Sequence, residues 1–370
     1  MHVATLELTD FRCYESVHLE LPPAVIALTG ANGQGKTSLL EAVGWLALGR
    51  SFRGVPDAAL VRAGMDQAIV RGAVADGESV RRVDVELHAV GRHRLQVNSH
   101  PLARTRDLTG TLRVTVFAPD DLQLVKGGPG ERRVYLDDLL TSSVPRYAGV
   151  RADLDRVLRH RNALLRGGAR DREARDTLDI FDEQLVKAGG ELVRGRLRLL
   201  DRLTPLVDNA YRRLAAEREG IDATYQGEWS PEVPIPDLVD QQLRAALERR
   251  RTQELERRVT LVGPQRDEWR LTIGGRDSRT HASQGEQRTL ALALRLAAHQ
   301  VLSEVIGTAP VLLLDDVFSE LDAERSRLLV ASLPAAGQTI VTTAGVIPEG
   351  ITPSVHLDVR DGRITRAASR

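Results

Sequence analysis

A glycine-rich loop near the start of the chain has the residue types and the spacing of a phosphate-binding site. Its sequence fits the pattern G-x-x-x-x-G-K-[ST] and reads Gly30-Ala31-Asn32-Gly33-Gln34-Gly35-Lys36-Thr37. The glycines allow a tight turn that brings backbone N–H groups close to phosphate oxygens. Lys36 would reach the β- and γ-phosphates, and Thr37 would bind Mg²⁺. The loop therefore predicts a site for a nucleoside triphosphate.

Two adjacent carboxylates, Asp315 and Asp316, follow the apolar run Val311-Leu312-Leu313-Leu314. Such a run is typical of a strand buried on both faces, and α/β sheets place ligands beyond the C-terminal ends of their strands. The first acid after such a strand in P-loop NTPases binds Mg²⁺, which makes Asp315 the candidate metal ligand with Thr37. Asp316 is then placed to polarise the attacking water. Without the loop at 30–37, the pair would equally fit two solvated aspartates.

A third motif, Ser283-Gln284-Gly285-Glu286-Gln287, opens a long amphipathic segment 32 residues before Asp315. Ser283 and Glu286 fit a capping box, in which each side chain bonds the other's backbone N–H at a helix N-terminus. Gly285 leaves room for another group to approach closely. Taken alone, this motif indicates only where a helix begins.

The elements around these motifs indicate an α/β fold. Residues 25–29 form a β-prone run before the glycine-rich loop, and residues 38–48 read as a helix that ends at Gly49. The N-terminus of that helix would direct its partial positive charge at the phosphates. Period-two alternation and turn residues predict further strands at 3–8, 17–21, 69–74, 82–88, 94–98, 112–117, 269–273, 339–343, 355–358 and 363–365. Further helices are predicted at 286–305 and 323–332.

The character of the chain changes after Gly127-Gly128-Pro129-Gly130. From Glu131 to about Arg258 the pattern is helical, and the longest helix is expected across 171–219, broken near Gly189-Gly190 or Pro205. The predicted organisation is an α/β domain made of residues 1–126 and 259–370, with a helical domain inserted at 127–258.

Composition narrows the classes of function. The 370 residues carry a formal net charge of zero, so no overall field draws the chain to nucleic acid or membrane. Aromatic residues make up 4%, which is few for a surface that stacks bases. Cys13 is the only cysteine, which excludes an intrachain disulfide and fits a reducing cytoplasm. No apolar run is expected to span a membrane, and the first residues lack the pattern of a signal peptide.

One arginine-rich stretch has two interpretations. Residues 146–170 contain seven arginines against Asp153 and Asp155. On helices they could follow the phosphates of DNA. A solvated face with intrahelical ion pairs fits the same residues equally well.

Taken together, the motifs resemble those of the ABC-type ATPases. Residues 283–287 are similar to their signature motif, and Ser319-Glu320-Leu321-Asp322 is similar to their D-loop. A P-loop, a long insertion, a signature, an acidic strand and a D-loop is the order of the branch related to structural maintenance of chromosomes. Within that branch the chain resembles the RecF family of bacterial recombinational repair ATPases. The resembling stretches are Leu8–Arg12, Gly30–Thr37, Ser51–Arg53, Phe117–Leu122, Gly127–Asp137, Ser283–Arg288 and Leu313–Asp322.

This resemblance implies an ABC-type ATPase head with mixed sheets and an inserted α-helical domain. It implies a composite ATP site, in which Ser283 and Gly285 of one subunit meet the γ-phosphate held by the P-loop of another. ATP would then promote a homodimer, and slow, DNA-dependent hydrolysis would release it. Arg12 resembles the N-terminal arginine that reaches the nucleotide in this branch. The implied partners are double-stranded DNA, gapped or single-strand junctions, RecR and RecO, in the cytoplasm and away from membranes.

Two departures from the ABC pattern bear on hydrolysis. Asp316 stands where many ABC ATPases have Glu, and its shorter side chain agrees with slow turnover. Thr342 and Thr343 stand where the switch histidine is usual.

Other functions fit these motifs less well. An ATPase subunit of a membrane transporter carries a much shorter insert than the separation of 247 positions from Lys36 to Ser283 allows. A chromosome-organising protein would need a long heptad arm, which the Gly and Pro residues interrupt. A nucleotide kinase gives no account of the signature.

Overall fold

The computed structural model describes residues 1–168, 172–215, 219–230, 232–334 and 336–367. Contacts divide the chain into two compact units. The first unit comprises Met1–Asp121, Arg213–Glu217 and Leu292–Arg370, and the second comprises Leu122–Arg212 and Arg218–Ala291. The first contains most of the strands, and the second contains most of the helical sequence.

The strands, in chain order, are β1 (His2–Phe11), β2 (Tyr14–Glu20), β3 (Val25–Thr29), β4 (Gln67–Asp76), β5 (Ser79–His88), β6 (Arg94–Val97), β7 (His100–Pro101), β8 (Val114–Phe117), β9 (Ile221–Gln226), β10 (Glu268–Ile273), β11 (Arg276–Asp277), β12 (Val311–Asp315), β13 (Thr339–Thr343), β14 (Val355–Arg360) and β15 (Arg363–Arg366).

The α-helices are α1 (Lys36–Leu48), α2 (Gln123–Lys126), α3 (Pro129–Ser143), α4 (Tyr147–Gly167), α5 (Arg172–Ala215), α6 (Val239–Arg257), α7 (Gln284–Ile306) and α8 (Ala323–Ser332). Short 3-10 helices lie at Asp57–Leu60, Thr105–Leu108, Pro119–Leu122, Pro236–Leu238, Pro264–Arg266 and Val317–Glu320.

The first unit contains an antiparallel sheet and a mostly parallel sheet. The antiparallel strands follow the order β2-β1-β4-β5-β6-β7. Within this sheet, β4, β5 and β6 form the antiparallel meander that the alternation between residues 68 and 97 predicts. The other sheet has the order β15-β14-β3-β13-β12-β8, in which only β15 runs antiparallel. Strands β3 and β12, which precede the glycine-rich loop and the acid pair, are therefore separated by β13 alone. Because these strands are parallel, both motifs lie at the same end of the sheet, beyond the C-terminal ends of the strands.

Helix α1 belongs to the same hydrophobic core as both sheets. Leu39, Leu40, Val43, Trp45 and Leu46 have no exposed surface. The helix carries apolar side chains on all of its faces, as expected for a helix that is buried rather than amphipathic. Gly49 ends it in the left-handed conformation, with its N–H bonded to the Trp45 carbonyl at 2.8 Å. This burial fixes the P-loop helix on the sheet.

The second unit combines helices α3 to α6 with the small sheet β11-β10-β9. Trp269 of β10 stacks on Tyr135 of α3, with ring centroids 5.9 Å apart. Arg132 makes a bidentate ion pair with Glu268, at 2.8 and 2.9 Å. These contacts tie residues 268–273 to the helices, which explains why the unit includes residues 259–291 and extends beyond the predicted limit at 258.

Two expectations for the helical region differ from the structure. Helix α5 continues through Gly189-Gly190 and Pro205 without a break. Residues 221–226 form strand β9, although the sequence predicts a helical pattern from Glu131 to about Arg258. They form a strand because they pair with β10, in register from Ile221–Ile273 to Gln226–Glu268. The fold class itself is confirmed, since α/β elements with mixed sheets flank a helical insertion.

Helix α7 corrects the expectation that no apolar run reaches membrane-spanning length. Its length and composition are sufficient for a span, but 67% of its most apolar window is buried inside the protein. A core helix of a soluble protein meets the same criteria, so α7 is weak evidence for a membrane.

Candidate nucleotide-binding site

The glycine-rich loop connects β3 to α1, as predicted. Gly30, Gly33 and Gly35 have φ values of 146°, 81° and 114°, a region that L side chains rarely adopt. A Cβ atom at Gly35 would also lie 2.6 Å from Cys13 Sγ. The hydroxyl of Tyr14 donates to the Gly35 carbonyl at 2.9 Å, so the turn between β1 and β2 supports the loop.

Lys36 begins α1 and is 6% exposed. Its Nζ donates to the carbonyl oxygens of Gly30 and Ala31 at 2.7 and 2.8 Å. The ammonium group therefore lies against the loop that would hold phosphates. Burial lowers the pKa of Lys36, while the negative charges of Asp316 and Asp315 oppose that shift.

Thr37 and Asp315 meet directly, although 278 residues separate them in sequence. The Thr37 hydroxyl donates to Asp315 Oδ1 at 2.7 Å, and the Thr342 hydroxyl donates to the same oxygen at 3.0 Å. Burial raises the pKa of Asp315, and these two hydrogen bonds oppose the shift. The structure thus brings together the two residues predicted to bind Mg²⁺.

Asp316 takes a left-handed conformation with φ 49° and lines the same cleft as the loop. Its backbone N–H donates to the Thr342 hydroxyl at 2.9 Å. Thr342, which stands where the switch histidine is usual, therefore contacts both acids. The buried Oδ1 of Asp316 has no hydrogen-bond partner among the described residues. An acceptor of this kind beside a cleft is open to a water or ligand donor.

The cleft has a volume of about 640 Å³ and is open on one side. Its walls include Asn32, Gly33, Gly35, Lys36, Thr37 and Asp316 from the predicted motifs, together with Arg12, Cys13 and Arg53. Arg12 was predicted to reach the nucleotide, and its position in the wall agrees with that role. Arg53 was noted only as part of a resembling stretch. Arg53 lines the cleft, and its positive charge opposes the rise in the pKa of Asp315.

Among the hydrogen bonds of the described residues, Gln34 is the one residue of the glycine-rich loop whose side chain bonds to the C-terminal hairpin of β14 and β15. Its Oε1 accepts from the backbone N–H of Asp361 at 2.5 Å. The backbone N–H of Gly362 also donates to the Gln34 carbonyl, at 3.3 Å. The turn between β14 and β15 therefore supports the loop from outside the cleft.

The donor set fits a magnesium ion. Thr37 and Asp315 present a hydroxyl and a carboxylate oxygen at one point, and Mg²⁺ prefers oxygen ligands supplied by one or two side chains together with substrate phosphates. Among the described residues no group of three or more His, Cys, Asp or Glu side chains could hold a metal by itself. The site thus has the form in which the nucleotide supplies further ligands.

The signature-like motif lies in the second unit and begins α7. Ser283 N donates to Glu286 Oε2 at 2.6 Å, and Glu286 N donates to Ser283 Oγ at 3.3 Å, so the capping box is present. Ser283 is exposed, and Gly285 lies in the first turn of the helix. Gln287 is buried and donates to the carbonyls of Ser278 and Arg279 at 3.0 and 3.2 Å. These bonds anchor the helix start and leave Ser283 on the surface.

The arginine-rich stretch does not form one continuous cationic face. Arg161 has no exposed surface and pairs with Asp182 and Glu254. Three other arginines have acidic partners: Arg146 with Glu191, Arg151 with Asp138, and Arg156 with Asp153. Arg170 lies outside the described residues. For these four arginines, ion pairing is the better interpretation.

The sequence and the fold match one protein family. The family model described as "RecF/RecN/SMC N terminal domain" matches residues 2–346. A solved Smc head bound to the C-winged helix domain of ScpA covers 99% of this chain and 97% of its own, with a TM-score of 0.58 and 17% identity, which shows the fold alone. The fold and the P-loop site thus define an ATPase of the ABC type, in the branch that contains Smc heads.

Full-length relatives narrow the family. A protein named "DNA replication and repair protein RecF" from Streptomyces avermitilis is 45% identical over 99% of this chain and 100% of its own length. One of the same name from Kineococcus radiotolerans is 43% identical over 96% and 95%. The solved structure of "the recombination mediator protein RecF-ATP in RecFOR pathway" is 30% identical, with a TM-score of 0.92 over 99% of this chain and 98% of that chain. The chain belongs to the RecF family.

Proposed function

We propose that this protein binds ATP and, in its ATP-bound form, dimerises on DNA during recombinational repair and replication-fork recovery. One observation carries the proposal: Thr37 and Asp315 are hydrogen-bonded at 2.7 Å beside a cleft that also exposes Lys36, Arg12 and Asp316. This arrangement suits a triphosphate and a hard cation. The contacts of the described residues suggest no other role for it.

The residues of the P-loop and the acid pair have proposed tasks. Backbone N–H groups of residues 30–37 and the N-terminus of α1 bind the phosphates. Lys36 exchanges its two carbonyl partners for β- and γ-phosphate oxygens. Thr37 and Asp315 would hold Mg²⁺, which would supply positive charge against the charge that develops on the phosphates. Asp316 accepts a hydrogen bond from the attacking water and orients it toward the γ-phosphorus.

The site is proposed to be complete only in a homodimer. The capping box leaves the Ser283 hydroxyl at the surface, at the N-terminus of a 23-residue helix. We infer that Ser283 and Gly285 of one subunit face the γ-phosphate held by the other subunit, where the partial charge of the helix favours an anion. The dimer is two-fold symmetric, and each subunit contributes one P-loop and one signature. Hydrolysis removes the γ-phosphate contact and releases the dimer.

Sedimentation with and without ATP tests the composite site. The wild-type protein should be a dimer with ATP and Mg²⁺, and the Lys36→Met variant should remain a monomer because it loses its phosphate contact. Ser283→Arg should bind ATP with unchanged affinity and remain a monomer. Ser79→Arg is a matched control, because Ser79 is also exposed but lies at the start of β5 in the antiparallel sheet. If the Ser283→Arg protein dimerises with ATP as the control does, the proposal of a composite site is wrong.

The DNA partner follows from the RecF family, whose members carry the name DNA replication and repair protein. We propose that the ATP dimer prefers gapped or junction duplex, that DNA stimulates a slow hydrolysis, and that RecR and RecO act with it to load the recombinase in the cytoplasm. Binding should be measured on gapped, single-stranded and double-stranded substrates with ATP, with ADP and without nucleotide. Equal affinity in all three nucleotide states would contradict the proposed switch.

A further inference from the structure

Glu41 is a fully buried carboxylate on the second turn of α1, and none of the proposed phosphate or metal contacts uses it. Burial of a charged carboxylate is unfavourable unless it is paired and hydrogen-bonded. An acid in a helix that is apolar on all sides therefore needs a reason. Its partners give that reason, because both belong to loops at the nucleotide cleft.

The first partner is Arg12, in the turn between β1 and β2. Arg12 Nε donates to Glu41 Oε2 at 2.9 Å, and Arg12 Nη2 donates to Glu41 Oε1 at 2.9 Å. A bidentate pair of this kind fixes the direction of the guanidinium group as well as its position. The backbone N–H of Arg12 also donates to the Leu60 carbonyl at 2.7 Å. Arg12 is therefore held at both its backbone and its side chain.

The second partner is Ser51, in the loop after α1. Its hydroxyl donates to Glu41 Oε1, and the same hydroxyl accepts from the backbone N–H of Arg53 at 3.1 Å. Arg53 lines the cleft, as Arg12 does. One carboxylate thus connects two arginines that come from different loops.

Packing explains how the second loop reaches Glu41. Gly44 follows Glu41 by three residues and so lies on the same face of α1. A Cβ at Gly44 would lie 2.8 Å from Cδ1 of Phe52. Glycine inside a helix is less favourable than alanine. Here it lets the Phe52 ring lie against the helix, which brings Ser51 to Glu41.

We propose that Glu41 is a positioning residue that sets Arg12 and the loop of Arg53 for the nucleotide. The inference rests on the proposed ATP site and adds to it a residue that touches neither phosphate nor metal. Since Nε and Nη2 of Arg12 bond to Glu41, Nη1 is the nitrogen without a partner among the described residues. It is the group left for the triphosphate. A side chain that is already ordered loses less conformational freedom when the ligand binds.

The test is a double-mutant cycle read by ATP affinity, with a fluorescent ATP analogue as the probe. Glu41→Gln should weaken binding about tenfold, which corresponds to ~1.4 kcal/mol. Arg12→Ala should weaken it at least as much. If Glu41 acts through Arg12 and the loop of Arg53, the double variant should bind at most about threefold more weakly than Arg12→Ala alone, whereas independent effects would multiply in full. Thermal unfolding of each variant separates a loss of affinity from a loss of folding.

Two further variants complete the test. Asp84→Asn is the matched control, because it removes a carboxylate paired with Arg71 on the sheet of the same unit, outside the cleft lining. Its ATP affinity should equal that of the wild type. Ser51→Ala leaves the Arg12 pair intact and should weaken binding about threefold, by loosening the loop of Arg53. This variant keeps the inference testable if Glu41→Gln does not fold.

The failures of the two ideas are distinguishable. A wild-type protein that does not bind the ATP analogue overturns the proposed function, and the inference with it. A wild-type protein that binds, beside a folded Glu41→Gln protein of equal affinity, overturns the inference and leaves the proposed site standing. Multiplicative effects of Glu41→Gln and Arg12→Ala would show that Glu41 acts on the site by another route.

Discussion

The nucleotide cleft and the second, mostly helical unit (the helical unit) both bury charged side chains, but they differ in how fully those side chains are hydrogen-bonded. In the helical unit Arg196 bonds Asp137 at 2.7 and 2.9 Å, and its Nη1 bonds the Tyr225 hydroxyl and the Pro264 carbonyl. Arg161 likewise uses Nε, Nη1 and Nη2 on Asp182, Thr260 and Glu254. In the cleft, Asp316 Oδ1 and Arg12 Nη1 have no partner among the described residues.

This difference separates structural charges from functional ones. A fully paired buried network fixes one arrangement of helices, and removing one member leaves its partner uncompensated. A cleft with unused donors and acceptors is instead ready for a ligand that supplies the missing partners. The number of buried charges says little by itself. For these charged groups, what matters is which of their atoms the protein leaves without partners.

The largest effect is expected where the network is complete. Arg161→Met leaves Glu254, which has no exposed surface, without its cationic partner, and it should lower the free energy of unfolding by about 3–5 kcal/mol. Arg159→Met is the control, because Arg159 is exposed on the same helix. Chemical denaturation measures both. Equal stability of the two variants would mean that the buried pair contributes no more than a surface charge.

In the cleft the same kind of substitution should affect activity and spare stability. Asp316→Asn should reduce ATP hydrolysis about 100-fold or more, since it removes the proposed base. The unfolding free energy should stay within about 0.5 kcal/mol, because asparagine tolerates the left-handed conformation of this residue. ATP binding should persist. The exposed Asp66→Asn serves as control, and unchanged hydrolysis in Asp316→Asn would assign the water to another residue.

A pH dependence sharpens the contrast further. Burial raises the pKa of Asp267 from 3.8 to about 6, although Tyr225 and Trp229 donate to its carboxylate at 2.6 and 2.7 Å. The folded state therefore binds a proton more tightly than the unfolded state. As pH rises from about 4 to about 6, this residue should lower the unfolding free energy by about 2–3 kcal/mol.

Asp267→Asn isolates that contribution. The amide does not titrate, so the stability of the variant relative to the wild type should increase over the same pH interval. Denaturation at several pH values between 4 and 7 measures the difference. A difference that stays constant with pH would mean that Asp267 has the same pKa in the folded and unfolded states.

The smallest effect is expected at the support of the P-loop. Gly362 has φ 69°, and a Cβ there would lie 2.5 Å from the Cys13 carbonyl oxygen. Gly362→Ala should cost about 1–2 kcal/mol of stability and weaken ATP binding about threefold, because the turn contacts Gln34. Gly77→Ala has a similar φ of 60° with open space around it. Gly77→Ala should therefore show the effect of backbone strain alone. Equal ATP affinities of Gly362→Ala and Gly77→Ala would exclude a role for the β14–β15 turn in ATP binding.

The sequence predicts those parts of the molecule that local patterns determine. The limits of β3, β13 and α8 agree with the prediction. Each of these segments has a clear hydrophobic pattern that ends at turn residues or at a helix cap. The approach of Thr37 to Asp315 also followed from sequence, since both stand at the same ends of parallel strands. Motif spacing therefore predicts that these two side chains lie close together.

Features that depend on distant partners were not predicted. Strand β9 forms because β10 offers a paired edge. Gly189 lies within an unbroken helix, and Pro264 packs 3.1 Å from the place of a Cβ at this residue. This glycine therefore reflects close packing and not a helix end. Glu41 gave one signal, an acid within an apolar helix, but its partners Arg12 and Ser51 come from separate loops. Only the tertiary structure shows that they meet.

The position of β3 in its sheet has a consequence for synthesis of the protein. Its two neighbours are β13, which begins 310 residues after β3 ends at Thr29, and β14, which comes later still. At a translation rate of about 5–20 residues per second, the strand before the P-loop waits roughly 15–60 s for the partners on its two edges. During that time Val25-Ile26-Ala27-Leu28 is an apolar strand with unpaired edges, the kind of segment that associates with other chains. The nascent chain is therefore expected to depend on chaperones until its last strands emerge from the ribosome.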